Sequence, residues 1–235
     1  MEVTIKGQKF NVQGDTSFWK VAHDWETASF QILEKFLNKQ NTFIDVGTWN
    51  GVLSMYASRL CKNVIGFEPE QTAYSNAVVN CGLNDITNVE IYNVGVSNKE
   101  GTQQLFIRNE GDSVSSLIDR HMEGYESKKV KEIRTIRLSK FLSSTSCDIG
   151  LIKMDIEGGE VYAIPELATY LKENKPPLYI SFHPNWFENK EIMIKYFADM
   201  LFSVYKCYTR HFEQVDKKYF VNALNGTEHC FIFVK

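Results

Sequence analysis

The feature that most constrains this chain is residues 41–51, which read NTFIDVGTWNG. An apolar run that carries Asp45 near its end is followed by Gly47 and Gly51, and residues 52–60 then show a helical pattern. A strand, a glycine turn and a helix in that order are the plan of a nucleotide-binding βα unit. Glycine suits the turn because a Cβ would obstruct both the sharp bend and the close approach of a ligand. We therefore expect Asp45, Gly47 and Gly51 to contact a cofactor.

A second strand, residues 63–67, runs into Glu68 and Pro69. An acid about 20 residues past such a turn can accept hydrogen bonds from both hydroxyls of a ribose. The glycine spacing departs from the G-x-G-x-x-G fingerprint, which seats a pyrophosphate on a helix N-terminus, and the charge of Asp45 would repel a pyrophosphate. The same charge suits a ligand with a sulfonium and an α-amino group. The pattern therefore favours S-adenosyl-L-methionine (SAM) over NAD.

Composition sets the size and broad class of the protein. The chain has 235 residues, of which 43% are hydrophobic and 23% are charged, as in an ordinary globular protein. We predict an N-terminal hairpin with helices over residues 1–40, packed on a SAM-binding domain over residues 41–235. The net charge of −3 argues against strong non-specific binding to nucleic acid.

The cysteines and the apolar runs bear on the compartment. The five cysteines are widely spaced and form no C-x-x-C pair, which favours a reducing, cytoplasmic compartment and argues against a zinc site. The N-terminus has no apolar leader, and the sequence has no run of about 18 apolar residues. We therefore expect no membrane insertion.

The segment before the first cofactor strand shows two patterns. Residues 2–12 alternate in a way that predicts a small β-hairpin, and residues 18–37 show helical spacing. Trp25 lies in this segment. It is a candidate lid for the ligand cleft, and the alternative interpretation is that it caps the core.

A third strand is predicted over residues 89–96. Asn93, Val94 and Gly95 would then stand at the carboxyl end of the sheet, where ligands bind in open α/β folds. In SAM-binding folds this turn usually lines the adenine. Residues 100–140 interrupt the alternation of strands and helices, and we interpret them as an elaboration of the sheet. Ser116, in a polar loop of this segment, can reach the cofactor or the acceptor, although a solvated serine is the commoner case.

Acidic residues cluster after the buried strand predicted over residues 148–154. Asp155 and Glu157 follow it directly and precede a Gly-Gly turn. Like charges held close together raise one another's pKa, and such clusters mark functional sites. We interpret Glu160 differently, as an acid in the first turn of the next helix, where the helix dipole favours it.

The strand predicted over residues 177–182 ends near His183 and Trp186. The end of a strand in a parallel sheet places His183 at the mouth of the same cleft, and Trp186 is a candidate contact for the acceptor. Residues 202–208 and 229–234 read as a closing pair of strands joined by a polar loop.

These stretches resemble the FkbM family of SAM-dependent methyltransferases. The matching segments are FIDVG at residues 43–47 with Asn50 and Gly51, FEPE at 67–70, NVGVS at 93–97 and IKMDIEGGE at 152–160. The last segment, in the form K-x-D-x-E-G-x-E, is the most specific to the family.

The resemblance implies an α/β fold of the class I methyltransferase type. This is a Rossmann-like, seven-stranded, mostly parallel sheet with helices on both faces and an antiparallel last strand. The resemblance also implies SAM as methyl donor, S-adenosyl-L-homocysteine (SAH) as product, and transfer to a hydroxyl of a sugar or a natural product. It adds Asn50, Pro69 and Asp155 to the cofactor site, and it lets Trp25 close over the methionine end. Trp49 departs from the family pattern, in which a small residue is commoner.

Methyl transfer from SAM is an in-line displacement at a cationic methyl group. An alcohol is a poor nucleophile until a base takes its proton, and such a base typically contributes roughly 10²–10⁴-fold. His183 and Asp155 are the candidate bases, and the ordinary pKa of a histidine suits the task better. Glu157 can support either of them. The sequence shows no metal triad, so we predict metal-independent catalysis, with Mg²⁺ at the acid cluster as the alternative.

The acceptor that the resemblance implies is a small-molecule or glycan hydroxyl, and three other functions stay open. An RNA ribose 2′-O-methyltransferase can use a set like Lys153, Asp155 and Glu157, but the acidic balance makes nucleic acid an unlikely partner. A non-catalytic SAM- or nucleotide-binding module would not need to keep the acids and His183. An NAD-dependent oxidoreductase would need the three-glycine turn that is missing here.

Overall fold

The computed structural model describes residues 1–119, 124 and 126–235. In chain order its first elements are β1 Glu2–Ile5, β2 Gln8–Asn11, α1 Thr16–Val21, α2 Thr27–Phe36, β3 Thr42–Val46, α3 Val52–Ser58, β4 Asn63–Phe67, α4 Gln71–Gly82, β5 Val89–Tyr92 and β6 Gly95–Val96. The later elements are β7 Gly101–Ile107, β8 Lys129–Ile136, α5 Leu138–Ser143, β9 Ile149–Met154, α6 Glu160–Asn174, β10 Leu178–Ser181, α7 Lys190–Phe202, β11 Lys206–Thr209, β12 Gln214–Val215, α8 Lys217–Asn225 and β13 Cys230–Val234.

The central sheet has eight strands in the order β12-β11-β13-β10-β9-β3-β4-β5. The strands from β10 to β5 run parallel to one another, and β13 runs antiparallel to both of its neighbours. This arrangement confirms the predicted mostly parallel sheet with an antiparallel last strand. The strand count exceeds the expected seven because the two-residue strand β12 pairs with β11 at the edge.

The two faces of the sheet bury different side chains, because successive residues of a strand point to opposite faces. On β3, Ile44 and Val46 join one core cluster and Phe43 joins the other. On β9, Ile152 and Leu151 divide in the same way. Helices cover both faces, so every residue of β3 is buried. This burial explains why the strand reads as a nearly continuous apolar run.

The N-terminal hairpin and the first two helices pack on one face of the sheet. Phe10 of β2, Trp19 of α1 and Phe30 of α2 are buried in the same cluster as Phe43. The hairpin and the helical segment that follows it agree with the sequence patterns. The division of the chain at residue 40 stays a prediction.

The outer strands differ from the sequence interpretation. The strand predicted over residues 89–96 is divided, because β5 ends at Tyr92 and β6 leaves the central sheet. Strand β6 pairs instead with β8, which also pairs with β7, and the three form a separate sheet. Strands β7 and β8 therefore belong to a second small sheet rather than extend the first.

A helix occupies the predicted polar loop between the closing strands. Helix α8 begins after Asp216, whose side chain accepts a hydrogen bond from the backbone amide of Tyr219. This is an N-cap, which satisfies an amide that the helix leaves unpaired. Only Phe220 and Leu224, one turn apart, are buried, so the apolar pattern is too sparse to identify the helix from sequence. Within the described ranges, no helix has both the length and the apolar character needed to cross a bilayer.

Candidate active site

Two adjoining cavities lie where β3, β4, β9 and β10 end, the usual place for ligands in an open α/β sheet. The larger is an open cleft of about 920 Å³, and the smaller is a cavity of about 50 Å³. The predicted site residues that line the cleft are Trp25, Asp45, Gly47, Asp155, Glu157 and His183. Those that line the smaller cavity are Gly47, Glu68, Pro69, Gly95, Ser116, Asp155 and Glu157.

Other parts of the chain approach the glycine turn after β3 closely, and the predicted approach of a ligand to this turn stays a prediction. Gly47 has a φ of +87°, and a Cβ on it would lie 1.8 Å from the backbone oxygen of Asp155. Gly51 has a φ of +85°, and a Cβ there would lie 3.1 Å from the Cβ of Ala77 on α4. The first glycine lets the end of β9 come close to the turn, and the second lets α4 pack against it.

Asp45 is a buried carboxylate at the floor of the cleft. It is 1% exposed, and its Oδ2 accepts a hydrogen bond of 2.6 Å from the hydroxyl of Ser54 on α3. Its Oδ1 lies 4.0 Å from the Lys153 Nζ and has no hydrogen-bond partner among the described residues. Burial raises the pKa of Asp45, and the Lys153 charge opposes that effect.

Glu68 is a buried carboxylate on the smaller cavity. Its two oxygens accept backbone hydrogen bonds of 2.8 Å each, one from Trp49 and one from Glu70. Burial is the main cause that raises its pKa to about 7, although both amides favour the charged form. Pro69 and Gly95 line the same cavity. Asp45 and Glu68 therefore serve different cavities.

Trp49 stands between the two cavities and lines both. Its backbone is left-handed, with a φ of +50°, and its ring nitrogen donates a hydrogen bond of 2.9 Å to the Gly111 carbonyl. The ring packs against Phe18 and Trp25, with centroid separations of 4.5 and 6.1 Å. Sequence reasoning noted Trp49 only as a departure from the family pattern. The sequence feature that could have identified Trp49 as a site residue is its position inside a glycine turn, because a short turn does not itself require a large aromatic side chain.

Asp155, Glu157 and His183 meet at the cleft, as the sequence predicted. The His183 Nε2 lies 3.6 Å from the Asp155 Oδ1 and 3.4 Å from the Glu157 Oε1. The other ring nitrogen, Nδ1, lies 3.2 Å from the Oε1 of Glu160, a carboxylate that is fully buried. The amides of Ile156 and Gly158 donate hydrogen bonds to Glu160. Glu160 begins α6, as interpreted, and it also fixes the ring of His183, which the sequence did not indicate.

These carboxylates control the charge of His183. Burial of the ring disfavours its charged form, but the carboxylates of Glu160 and Glu157 more than compensate, and the pKa of His183 is raised well above its ordinary value. The pKa of Asp155 is lowered, because the charges of Lys153 and His183 outweigh its burial. Single ligand-type atoms of Asp155, Glu157 and His183 lie within 4.8 Å of one another, a spacing that can surround a divalent cation.

Two further charged residues complete the floor of the cleft. Lys153, on β9, is 4% exposed, and its Nζ lies 3.5 Å from the Asp155 Oδ2. Glu26 has a left-handed backbone and accepts a hydrogen bond of 2.8 Å from the Ser29 hydroxyl. Burial and the charge of Asp155 raise the pKa of Glu26. Sequence analysis assigned Lys153 a chemical role only in the RNA alternative, because the register that places it beside Asp45 cannot be read from one strand.

Several predicted site residues hold the site together without lining either cavity. The side-chain nitrogen of Asn93 donates hydrogen bonds to the carbonyls of Glu68 and Pro69, at 2.9 and 3.2 Å. The Asn50 carbonyl accepts a hydrogen bond from Asn80 of α4. The others are Val94, which packs against the core, Gly51, which contacts α4, and Trp186, which packs against Gly158.

Ser116, by contrast, lines the smaller cavity, and its hydroxyl donates a 2.7 Å hydrogen bond to the Glu157 carbonyl.

The strand order and the turn after β3 define a class I methyltransferase fold, and solved structures share it. A methyltransferase FkbM from Methylobacillus flagellatus KT is 13% identical with a TM-score of 0.50, over 92% of this chain and 60% of that one. A protein from Streptococcus mutans described as a methyltransferase, in complex with SAH, is 13% identical with a TM-score of 0.50, over 88% of this chain and 96% of that one. At sequence identities this low, the similarity shows a shared fold alone.

The methyltransferase FkbM domain model matches residues 38–207, and the chain belongs to that family. This match confirms the family resemblance carried by the sequence motifs, and the neighbour that shares the fold contains SAH.

Curated relatives match this chain only locally. A ribosomal protein L11 methyltransferase of Clostridium botulinum (strain Eklund 17B) is 33% identical over 93 residues, which are 38% of this chain and 30% of the relative. An uncharacterized RNA methyltransferase of Nostoc sp. (strain PCC 7120) is 36% identical over 95 residues, which are 40% of this chain and 20% of the relative. The chain thus matches less than a third of the length of these relatives.

Proposed function

We propose that this protein transfers the methyl group of SAM to a hydroxyl of a sugar or glycan. The observation that carries the proposal is the open cleft, which is lined by the partly buried rings of Trp25 and Trp49 and by the carboxylates of Asp155 and Glu157. Aromatic faces pack against the apolar faces of a sugar ring, and carboxylates accept hydrogen bonds from its hydroxyls. At about 920 Å³ the cleft has the size of a small-molecule site.

The donor is proposed to lie across both cavities. Asp45, Gly47 and Asp155 would face the methionine end in the cleft, and Glu68 would accept the ribose hydroxyls. The smaller cavity, at about 50 Å³, is below the roughly 300 Å³ of ordinary ligand pockets. Nucleoside binding there therefore requires a shift of the segment around Gly111, which Trp49 and Glu70 now hold by hydrogen bonds of 2.9 and 3.0 Å.

His183 is proposed as the base that takes the proton of the acceptor, with Asp155 and Glu157 orienting it. Only the neutral imidazole can accept a proton, and the raised pKa of His183 moves the appearance of that form to higher pH. The rate should therefore rise with pH until the pKa of His183 is passed. If Asp155 is the base instead, its lowered pKa predicts a rate that is flat above neutral pH.

Catalysis is proposed to need no metal. An imidazolium has no free lone pair, so a cation could join Asp155, Glu157 and His183 only after His183 loses its proton. A chelator should leave the rate unchanged. A rate that falls with chelator and returns with Mg²⁺ would assign an ion to these three residues.

The deciding experiment is incubation with methyl-labelled SAM and a panel of acceptors, read by mass for the gain of one methyl group. The panel holds free sugars and glycans, small natural-product alcohols, ribose-containing RNA and a ribosomal protein. Methylation of a sugar hydroxyl is the expected result. Methylation of RNA or protein with no sugar product would contradict the proposal.

A second candidate is methylation of RNA, for which two observations speak. Lys153 lies 3.5 Å from Asp155 at the cleft, and one local relative is named an RNA methyltransferase. The net charge of −3 argues against a polyanionic acceptor.

The five free cysteines suit a reducing compartment, and we propose that the protein acts in the cytoplasm.

A further inference from the structure

Lys153 lies beneath Asp45 and Asp155, the two carboxylates proposed to face the methionine end of SAM. The proposed mechanism of methyl transfer gives this lysine no role. Strands β3 and β9 are parallel, and their register pairs Asp45 with Lys153. Paired residues on neighbouring strands project to the same face of a sheet. The ammonium therefore reaches both carboxylates of the cleft floor, at 4.0 Å from the Asp45 Oδ1 and 3.5 Å from the Asp155 Oδ2.

The surroundings of Lys153 hold more negative than positive charge. The neighbouring acids are Asp45 on β3, Asp155 after β9 and Glu26 before α2, and all three contribute to the electrostatics of Lys153. The other polar or charged groups that face this cluster are Ser54 on α3, Tyr179 and Ser181 on β10, His183 after β10, Arg210 after β11 and Cys230 on β13. Lys153 is the buried ammonium that partners these acids directly.

We propose that Lys153 is a positioning residue that keeps Asp45 and Asp155 ionised, so that the cleft attracts the positively charged donor. A carboxylate that is buried without a counter-ion takes up a proton, and a neutral carboxyl no longer attracts a sulfonium or an α-ammonium. A cation beneath the floor therefore strengthens the binding of a cation above it. The inference needs only the SAM cofactor and does not depend on the proposed sugar acceptor.

The direct test compares Lys153→Met with Lys153→Arg. Calorimetry of the full chain measures its SAM affinity at several pH values. The arginine variant should keep most of the affinity, since it keeps the charge. The methionine variant should lose SAM affinity at neutral pH, roughly tenfold for each unit by which the pKa of Asp45 exceeds the pH, and should regain it as the pH rises. The wild type should lack this additional rise, because any pH dependence that comes from the titration of Glu68 is common to all three proteins.

Two results would overturn the proposal. If Lys153 merely repels the donor, Lys153→Met binds SAM more tightly than the wild type. If Lys153 only supports the fold, the loss in Lys153→Met does not change with pH, and Lys153→Arg loses as much.

A double variant separates positioning from a structural role. Asp45→Asn combined with Lys153→Met removes a charge of each sign, so it leaves a smaller buried imbalance than Lys153→Met alone. Its loss of SAM affinity should be smaller than the product of the two single losses, because the lysine acts through Asp45. Independent, multiplicative losses would contradict the proposal. If Lys153→Met alone does not fold, the double variant carries the test. Asp155 should make its SAM affinity rise with pH more steeply than that of the wild type, and a profile no steeper than the wild type's would overturn the inference.

Discussion

The two cavities of the site stabilise a buried carboxylate in different ways. In the open cleft, Asp45 has a hydroxyl partner, Ser54, and a lysine at 4.0 Å. In the smaller cavity, Glu68 has two backbone amides at 2.8 Å, and its neighbours Glu70 and Asp45 are acids that raise its pKa further. Burial raises the pKa of both carboxylates, and a counter-ion opposes that rise in the cleft, whereas backbone dipoles oppose it in the smaller cavity. This contrast suits a donor whose charged end and nucleoside end need different surroundings.

The largest effect on stability and SAM binding is expected from a substitution of Gly47, which lines both cavities. A Cβ at Gly47 would lie 1.8 Å from the Asp155 carbonyl oxygen, at a φ of +87°. We predict that Gly47→Ala lowers the free energy of unfolding by about 3 kcal/mol or more and abolishes SAM binding in calorimetry. The matched control is Gly82→Ala at the end of α4, where a Cβ meets nothing within 4 Å. That control should change the free energy of unfolding by less than about 1 kcal/mol. A stable, SAM-binding Gly47→Ala protein would contradict the role of the turn.

The next effect isolates the smaller cavity. The pKa of Glu68 is raised to about 7 in the folded protein, from 4.5. The folded state therefore binds this proton more tightly than the unfolded chain, and the resulting stability is fully present below pH 4.5 and lost as the pH rises through about 7. We predict that this contribution, about 3 kcal/mol, disappears from the pH dependence of urea unfolding in Glu68→Gln without bound cofactor. Identical pH profiles in the variant and the wild type would show that folding does not raise the pKa of Glu68.

A third prediction separates the two cavities by ligand. SAM and SAH share the nucleoside, but only SAM carries the sulfonium. Glu68→Gln should weaken both ligands equally, by roughly 10–100-fold, as expected for loss of hydrogen bonds to a charged group. Asp45→Asn should weaken SAM more than SAH. Calorimetry with both ligands checks the pair, and equal losses for SAM and SAH in Asp45→Asn would remove the distinction between the cavities.

The smallest effect is a shift of a pH profile. Glu160 lies 3.2 Å from the Nδ1 of His183 and is a main cause of its raised pKa. Glu160→Gln should lower that pKa, so that the rise of the methyl-transfer rate begins at a lower pH. The exposed Glu188→Gln, close in sequence to His183, is the control and should leave the profile in place. An unmoved profile in Glu160→Gln would remove His183 from the role of base.

The sequence was informative wherever function and fold impose the same local pattern. Asp45 at the end of a buried strand, Gly47 in a strained turn, and Asp155 and Glu157 after a second strand were all readable, because each depends on neighbours within a few residues. Glu160 looked like an ordinary acid at the start of a helix. Its contact with His183 joins residues 23 positions apart, which no local pattern reveals.

The remaining features depend on register or on distant contacts. The pairing of Lys153 with Asp45 follows from how β3 and β9 align, and the same residues in a shifted register would lie apart. The Trp49 ring nitrogen bonds Gly111, which lies 62 residues away. Helix α8 escaped detection because its apolar face has only two buried residues.

The most direct test of the account is the crystal structure of the complex with SAH. The account predicts that the ribose hydroxyls bond to Glu68, that the α-amino group faces Asp45 and Asp155, and that the segment around Gly111 has shifted to widen the smaller cavity. A complex in which SAH lies in the cleft with its nucleoside away from Glu68, or with its amino group away from both aspartates, would contradict it.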